Sequence, residues 1–280
     1  MPIPALAFSI WYQGEGRAPE ATRRAFAHNR EVARRSGWAF RVFDADDLRA
    51  ACETCGVRSV YDSYPRMHQR IDLGRLCLLF VHGGVSVDAD QLFVRGFDAL
   101  PHLDSNEPVL SQVSCGANDA VCHRIVSLGA PRALNNALVM SPRGSRTLLS
   151  IIHRIASRPI LRTPSAALDV MATTGPTSFS HAVADMVSSG RVRTMPAAIV
   201  EPCSQQMATV AGVLLGGRGE NTCRPFESSV AVHPYTLSWA GGFAPAVCLA
   251  LAALVVVLCW SAALVERAMG RRRVAARTAT

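Results

Sequence analysis

Asp88 and Asp90 stand one residue apart, directly after a short β-type run, Gly84-Val85-Ser86-Val87. Two carboxylates at that spacing on an exposed turn can hold a divalent cation, because Mg²⁺ and Mn²⁺ take hard oxygen ligands. A cation held there can hold a diphosphate in turn, and as a Lewis acid it takes up charge developing on a departing phosphate. A bare Asp-x-Asp arises often by chance, so its setting matters. Here the run follows a glycine pair, Gly83-Gly84, and the glycines follow an apolar-rich helical stretch from Gln69. Asp72 and Arg75 lie three apart in that stretch and so share a helix face. An acid and a guanidinium placed this way can grip hydroxyls and a phosphate. The bland alternative is a surface ion pair, worth about 0–1 kcal/mol. An aspartate inside an otherwise apolar helix favours the first. A third group, His233, Ser238 and Trp239, lies just before an apolar C-terminal run. A histidine can complete a metal shell, and a hydroxyl and an indole N–H can donate to phosphate oxygens.

The elements that must position these residues alternate between strand and helix. Residues 3–12 read as a β-run, and Pro19 to Ser36 as a helix that starts on proline and stops at Gly37. Trp38 to Phe43 alternates as a strand, and Asp44 caps a helix from about Asp46 to Cys52. A loop over Tyr61 to Pro65 leads into the helix carrying Asp72. That helix contains Gly74, which costs about 1 kcal/mol relative to alanine. Further β-runs are expected at Val109–Val113 and Ala137–Met140, and near Val192 and Ile199. Further helices are expected at about Ser145–Ser157 and Thr177–Ser188. Gly212 to Gly219 lacks the lysine of a phosphate-binding loop and reads as a plain loop. Alternation of this kind implies an α/β sheet with helices on its faces. Ligands in such sheets bind beyond the carboxyl ends of strands, where Asp88 and Asp90 fall.

The chain has 280 residues, 49% of them hydrophobic, which is ample for a core. Its net charge is +8, and all 29 basic residues are arginine. Five of those arginines fall in the tail from Glu266 onward, so the body is only mildly basic and does not read as a nucleic-acid binder. Phe243 to Val265 carries no charge. Its roughly 23 residues reach about 35 Å as a helix, enough to cross a bilayer core of about 30 Å. Arginines follow at once, and the positive-inside rule places that tail in the cytosol and the body on the lumenal side. Residues 1–10 carry no signal-peptide pattern, so the opposite orientation stays open. Three segments are therefore expected: a folded domain over 1–242, a transmembrane helix over 243–265 and a basic tail over 266–280. Of nine cysteines, Cys52 and Cys55 form a lone C-x-x-C, half of a zinc site or a redox pair without a second half. Cys77 reads as core. In an oxidising lumen, two of Cys115, Cys122, Cys203 and Cys223 can pair, and the sequence leaves the pairing open.

Several of these stretches together resemble one family. Gln69-Arg70-Ile71-Asp72-Leu73-Gly74-Arg75 is similar to the Q-R-x-D-x-x-R helix of the Asp-x-Asp sugar transferases known as glycosyltransferase family 32. His82-Gly83-Gly84-Val85-Ser86-Val87-Asp88-Ala89-Asp90 resembles that family's Y-G-G-I-Y-x-D-x-D turn, with Ser86 where an aromatic residue is usual. Asn135 through Ser141 resembles its N-x-x-M-x-S strand, and Thr174-Gly175-Pro176 its T-G-P helix start. His233 through Ser238-Trp239 resembles its closing H-x-x-x-x-S-W, and Ile3-Pro4 with Trp11 its opening strand.

The resemblance implies a GT-A-type nucleotide-sugar-binding fold, with a central mixed sheet flanked by helices. It implies a nucleotide-sugar donor such as GDP-mannose or a UDP-hexose, a Mn²⁺ or Mg²⁺ cofactor, and transfer with retention of anomeric configuration. Carried over, Asp88, Asp90 and His233 hold metal, and Asp88, Asp90 and Asp72 are the catalytic residues. Asp72, Arg75, Gly83, Gly84, Asn136, Gly175, Pro176, Ser238 and Trp239 bind the donor. With the apolar segment, the expected acceptor is a lipid-linked or other glycan at a membrane, of Golgi or ER type in a eukaryote. The competing expectations are a catalytically silent relative that binds a glycan or a partner, and a metal-dependent phosphohydrolase.

Overall fold

In the computed structural model, residues 2–113, 130, 132–163, 165–200 and 227–232 are described. The first strand, β1 (Leu6–Ile10), runs to a single 3-10 turn at Glu15–Arg17 and then helix α1 (Glu20–Arg35). Strand β2 (Ala39–Phe43) follows. Helix α2 (Ala45–Thr54) begins as the sequence requires. Asp44 accepts from the N–H groups of Asp46 and Asp47, and Asp47 accepts from the Asp44 N–H, a reciprocal capping box. A short helix α3 (Arg58–Ser63) intervenes before α4 (Met67–His82). Thus Tyr61 to Ser63, expected in a loop, close a helix instead.

Strand β3 (Gly84–Val87) leads to β4 (Leu92–Phe93), β5 (Val109–Gln112) and β6 (Leu134–Ser141). Three helices come next: α5 (Arg146–Ala156), α6 (Ala166–Thr173) and α7 (Pro176–Ser188). The described chain closes with β7 (Arg193–Met195), α8 (Ala197–Val200) and β8 (Ala231–Val232). Ile199 therefore lies in a helical turn rather than a strand.

Six strands form one mixed sheet in the order β2-β1-β3-β6-β5-β7. Strands β1, β2 and β3 are mutually parallel, β6 runs against both β3 and β5, and β7 is parallel to β5. Strands β4 and β8 pair antiparallel in a small second sheet. Strand alternation divides the core in two. Phe8, Ile10 and Phe43 point to a cluster with α2, α4, α5 and α7, whereas Ala7, Phe40, Val85 and Val87 point to the opposite cluster with Phe26 of α1 and Phe93.

Helix α4 is the central element, buried over most of its circumference from Leu73 to Leu79. That position explains Gly74. A Cβ there would lie 2.6 Å from Cδ2 of Leu48 on α2, so the missing side chain is what lets the two helices pack closely. The cost in helix propensity is offset by this contact. At the end of α4 the chain reverses through Gly83 and Gly84, both at positive φ (68° and 101°). A Cβ on Gly84 would overlap the carbonyl oxygen of Leu6 in the neighbouring strand. Gly84→Ala is therefore expected to lower unfolding stability by about 3 kcal/mol, combining backbone strain with overpacking. A denaturant midpoint equal to that of the natural chain would refute this account of the turn.

Among the described residues no helix is long and apolar enough to cross a membrane. The expected transmembrane helix at 243–265, the loop at 212–219 and the cysteines at 115, 122, 203, 223, 248 and 259 lie outside the described residues.

Candidate functional site

Helix α4 delivers the chain to β3, and β3 brings it back alongside the middle of the same helix. Asp88 follows the last residue of β3 and opens a turn closed by the Gln91 N–H donating to the Asp88 carbonyl at 3.1 Å. Both Asp88 and Asp90 are partly exposed. The turn is pinned from behind. Buried Asn29 of α1 donates to the Gln91 carbonyl at 2.8 Å and accepts from the Phe93 N–H at 3.0 Å, and the Gln91 amide donates to the Val200 carbonyl at 3.1 Å. Neither Asn29 nor Gln91 carried any signal in the sequence.

Arg75 organises the site. It is only 6% exposed, and one terminal nitrogen pairs with Asp88. The other donates to the carbonyls of Asn136 and Ala137, at 2.7 and 3.0 Å. Those carbonyls are free because β6 bulges. Leu110 of β5 pairs with Val139, but the next residue, Ser111, pairs with Asn135, so Asn136, Ala137 and Leu138 are passed over. Bulges of this kind gather near active sites because they re-aim side chains. The Arg75 Nε has no hydrogen-bond partner among the described residues.

The same bulge turns Asn136 toward α4. Its amide donates to one oxygen of Asp72 at 2.9 Å, and the Thr174 hydroxyl donates to the other at 2.9 Å. Burial raises the Asp72 carboxyl to about 7, with Asp88 adding to the rise, while Arg75, Thr174 and Asn136 oppose it. Asp72 and Arg75 are therefore not a surface ion pair. His68 stands one turn before Asp72 on the same helix face. Its imidazole is held low by burial, with Asp88 near enough to oppose that effect. The spacing of 68, 72 and 75 was visible in the sequence, and His68 is the member that motif reading missed.

Of the expected site residues, Asp72, Arg75, Asp88 and Asn136 come together, with Asp90 two residues from Asp88 on the same turn. Gly175 and Pro176 start α7 directly after Thr174, and so shape the approach to Asp72. Gly83 and Gly84 do not join the cluster. They lie at the opposite end of β3, about 13 Å away along the strand, packed against Pro4 and Leu6. Their positive φ and close packing give them a structural role. His233, Ser238 and Trp239 lie outside the described residues. Among those described, no group of three His, Cys, Asp or Glu side chains could hold a metal.

A buried clasp holds α6 against α4. Asp169 is fully buried and accepts from the Arg66 Nε at 3.0 Å, while the Thr163 N–H donates to its second oxygen at 2.6 Å. The Gln69 side chain donates to the Asp169 carbonyl at 3.1 Å. Burial raises the Asp169 carboxyl, yet the donors from Thr163 and Arg66 leave it below the usual range. Arg66→Ala leaves that carboxylate without its cation, so a loss of about 2 kcal/mol is expected. Adding Asp169→Asn should return part of the loss, which chemical denaturation measures; equal stability of all three proteins would remove the clasp.

Solved structures share this architecture. The fold is that of a glycosyltransferase domain. The chain is similar to the ligand-free glycosyltransferase domain of the YGT toxin, with a TM-score of 0.50 and 8% identity over 69% of this chain and 80% of that one. Mouse xyloside xylosyltransferase 1 gives a TM-score of 0.49 and 11% identity over 85% and 99%. The PaToxG glycosyltransferase gives 0.47 and 15% over 67% and 71%. No protein-family model and no curated protein matches the sequence. The central mixed sheet flanked by helices is thus of the GT-A kind, as the family resemblance implied.

Proposed function

We propose that this chain is a metal-dependent, retaining glycosyltransferase. It would move a hexose, with mannose favoured, from a nucleotide-sugar donor to a lipid or glycan acceptor at a membrane. The observation that carries this reading is the convergence of Asp72, Arg75, Asp88 and Asn136 at one strand end in a glycosyltransferase fold. They come from a helix, a strand terminus and a bulged strand.

The donor set suits a hard divalent cation. Asp88 and Asp90 offer carboxylate oxygens, the ligand type such a cation takes. Bound there by Asp88 and Asp90, Mn²⁺ or Mg²⁺ supplies Lewis-acid stabilisation of the diphosphate leaving group. The protein's own groups do the rest. Arg75 meets phosphate oxygens as a fixed, desolvated cation. Asp72, oriented by Asn136 and Thr174, takes sugar hydroxyls. Trp11 follows the end of β1, next to β3, and its indole N–H has no partner among the described residues. Its ring suits stacking on a nucleobase. Retention needs no protein base, since the departing phosphate can take the acceptor proton on the same face of the sugar. A screen of GDP-mannose, UDP-glucose, UDP-galactose and UDP-N-acetylhexosamines with Mn²⁺, scoring released nucleoside diphosphate, tests this. One donor should be turned over; none turned over, with or without candidate acceptors, would reject it.

The Arg75–Asp88 pair also favours a second reading, a catalytically silent relative that binds a glycan or a partner, with the Asp88 carboxylate engaged by Arg75 instead of a metal. Such a protein would bind neither Mn²⁺ nor a nucleoside diphosphate in calorimetric titration.

A further inference from the structure

The outer face of helix α1 takes no part in the candidate site, and it is strongly basic. Phe26, Asn29 and Ala33 are buried on its inner face, whereas Arg23, Arg24, Arg30, Arg34 and Arg35 are all exposed. At 3.6 residues per turn those five fall within about 140° of arc. Arg17, in the 3-10 turn just before the helix, is exposed as well. Three carboxylates meet these guanidiniums. Glu15 pairs with Arg30, Glu20 with Arg24, and Glu31 with both Arg34 and Arg35. Six arginines against three glutamates leave a surplus of three positive charges on one face. The side chains of Arg24, Arg34 and Arg35 stay 72–78% exposed in their pairs. Such pairs are worth little in water, so they open readily to another anion.

An apolar side chain flanks this face. The His28 ring donates to the Phe93 carbonyl at 2.7 Å, and Gly96 packs against Ser36 at the end of α1, so residues 93–96 run beside the second half of the helix. Between those contacts stand exposed Arg95 and Val94, which at 50% is the most exposed large hydrophobic side chain among the described residues. The chain also leaves from this flank. Strand β8 pairs with β4 so that Val232, the last described residue, lies opposite Leu92. The uncharged run begins at Phe243, after ten intervening residues. That span reaches at most about 40 Å, against about 24 Å for the whole of α1. A run entering a bilayer from here keeps the arginine face within reach of the bilayer surface.

We propose that the outer face of α1, together with Val94 and Arg95, docks on a bilayer of anionic phospholipid. Guanidinium groups grip headgroup phosphates, and Val94 enters the boundary with the acyl chains. The tether in this picture rests on the reading of 243–265 as a membrane segment; the charged face and its apolar flank do not. Docking bears on the candidate site through Asn29. That residue lies on the inner face of the same helix and holds the Gln91 carbonyl and the Phe93 N–H, just beyond Asp88 and Asp90. The aspartate turn is thus set about one helix diameter, roughly 10–12 Å, from the headgroups. An acceptor at that height is a lipid headgroup or a short glycan on a lipid.

The test mixes the full-length chain with vesicles of phosphatidylcholine alone, or of phosphatidylcholine with phosphatidylglycerol. Flotation reads association, and phenylglyoxal labelling followed by mass spectrometry reads each arginine. Labelling at Arg23, Arg24, Arg34 and Arg35 should slow by at least about threefold on the mixed vesicles relative to the neutral ones. High sodium chloride should abolish the difference. Arg49 of α2 and Arg154 of α5, in the layer across the sheet, should label alike on both. In a chain combining Arg23→Gln, Arg24→Gln, Arg34→Gln and Arg35→Gln, Arg30 should label equally on both; if that chain fails to fold by circular dichroism, the natural chain decides. Flotation with both vesicles but equal labelling of α1 overturns docking and leaves the membrane segment standing. Flotation with the mixed vesicles only, with α1 protected, keeps docking and removes the segment as an anchor. Flotation with neither overturns both. Equal slowing at Arg49 and Arg154 overturns docking too, as does stronger slowing by RNA at matched phosphate concentration, which would give the face to nucleic acid.

Discussion

Asp88→Asn is expected to abolish the proposed metal-dependent sugar transfer, lowering the rate by at least about 1,000-fold, the scale set by losing several kcal/mol of charge stabilisation at a leaving diphosphate. Asp90→Asn is expected to do the same. The two differ in their structural consequences, and the difference is informative. Asp88 is the carboxylate that faces the buried Arg75 guanidinium. Its amide replacement removes the carboxylate paired with that guanidinium, so Asp88→Asn is also expected to lose some stability. Asp90 opens no such gap at Arg75, and its variant should unfold close to the natural midpoint. Activity at fixed Mn²⁺, read beside thermal unfolding, separates the two effects. Wild-type activity in both variants would end the proposed mechanism.

The second large effect is expected at Asp72, where function and stability should move in opposite directions. Desolvation raises its carboxyl to about 7 in the folded protein, whereas an unfolded aspartate titrates near 3.9. The folded state therefore holds the proton more tightly. The stability this contributes is fully present below about pH 4 and is lost as pH rises toward and through about 7. Over that span the loss is roughly 2–4 kcal/mol. Asp72→Asn cannot ionise, and its amide can still accept from Asn136 while the Thr174 hydroxyl turns to accept from it. The variant should match or exceed the natural chain in stability at pH 8, and the difference should shrink toward pH 4. Transfer should nonetheless fall by about 100-fold or more, because an amide takes sugar hydroxyls less strongly than a carboxylate. Stability gained where activity is lost marks a residue kept for chemistry. Denaturant midpoints at several pH values give one half of the test and donor turnover the other. A variant less stable at pH 8 and fully active would refute both.

Much of this arrangement was legible before any coordinates. Wherever one apolar pattern extended over a whole element, as in β1, α1, β2 and α7, the expected and observed elements agree to within a few residues. The Asp44 cap was readable because capping is local chemistry between residues three apart. Asp72 and Arg75 stood out as charges in an apolar helix. What escaped reading depends on contacts between distant segments. Strands β4 and β8 pair over two residues each, too few for a period to show. The bulge in β6 exists only relative to β5, yet it frees the carbonyls that hold Arg75. Asn29 and Gln91 look like ordinary surface amides until α1 and the turn after Asp88 are brought together. Gly83 and Gly84 misled for the opposite reason: their closeness in sequence to the aspartates suggested ligand contact, while the length of β3 carries them to its far end. Gly74 looked like a flaw in a helix and is instead the point where α2 fits.

The carboxyl end of β3 is proposed to receive a nucleoside diphosphate together with a divalent cation. Isothermal titration of the full-length protein with UDP and with GDP, each with Mn²⁺ and again with excess chelator, measures it directly. Saturable one-to-one binding of one nucleotide with Mn²⁺, weakened at least about tenfold by chelator and by Asp90→Asn, is the predicted result. Heats no larger than dilution for both nucleotides with Mn²⁺ present would contradict it.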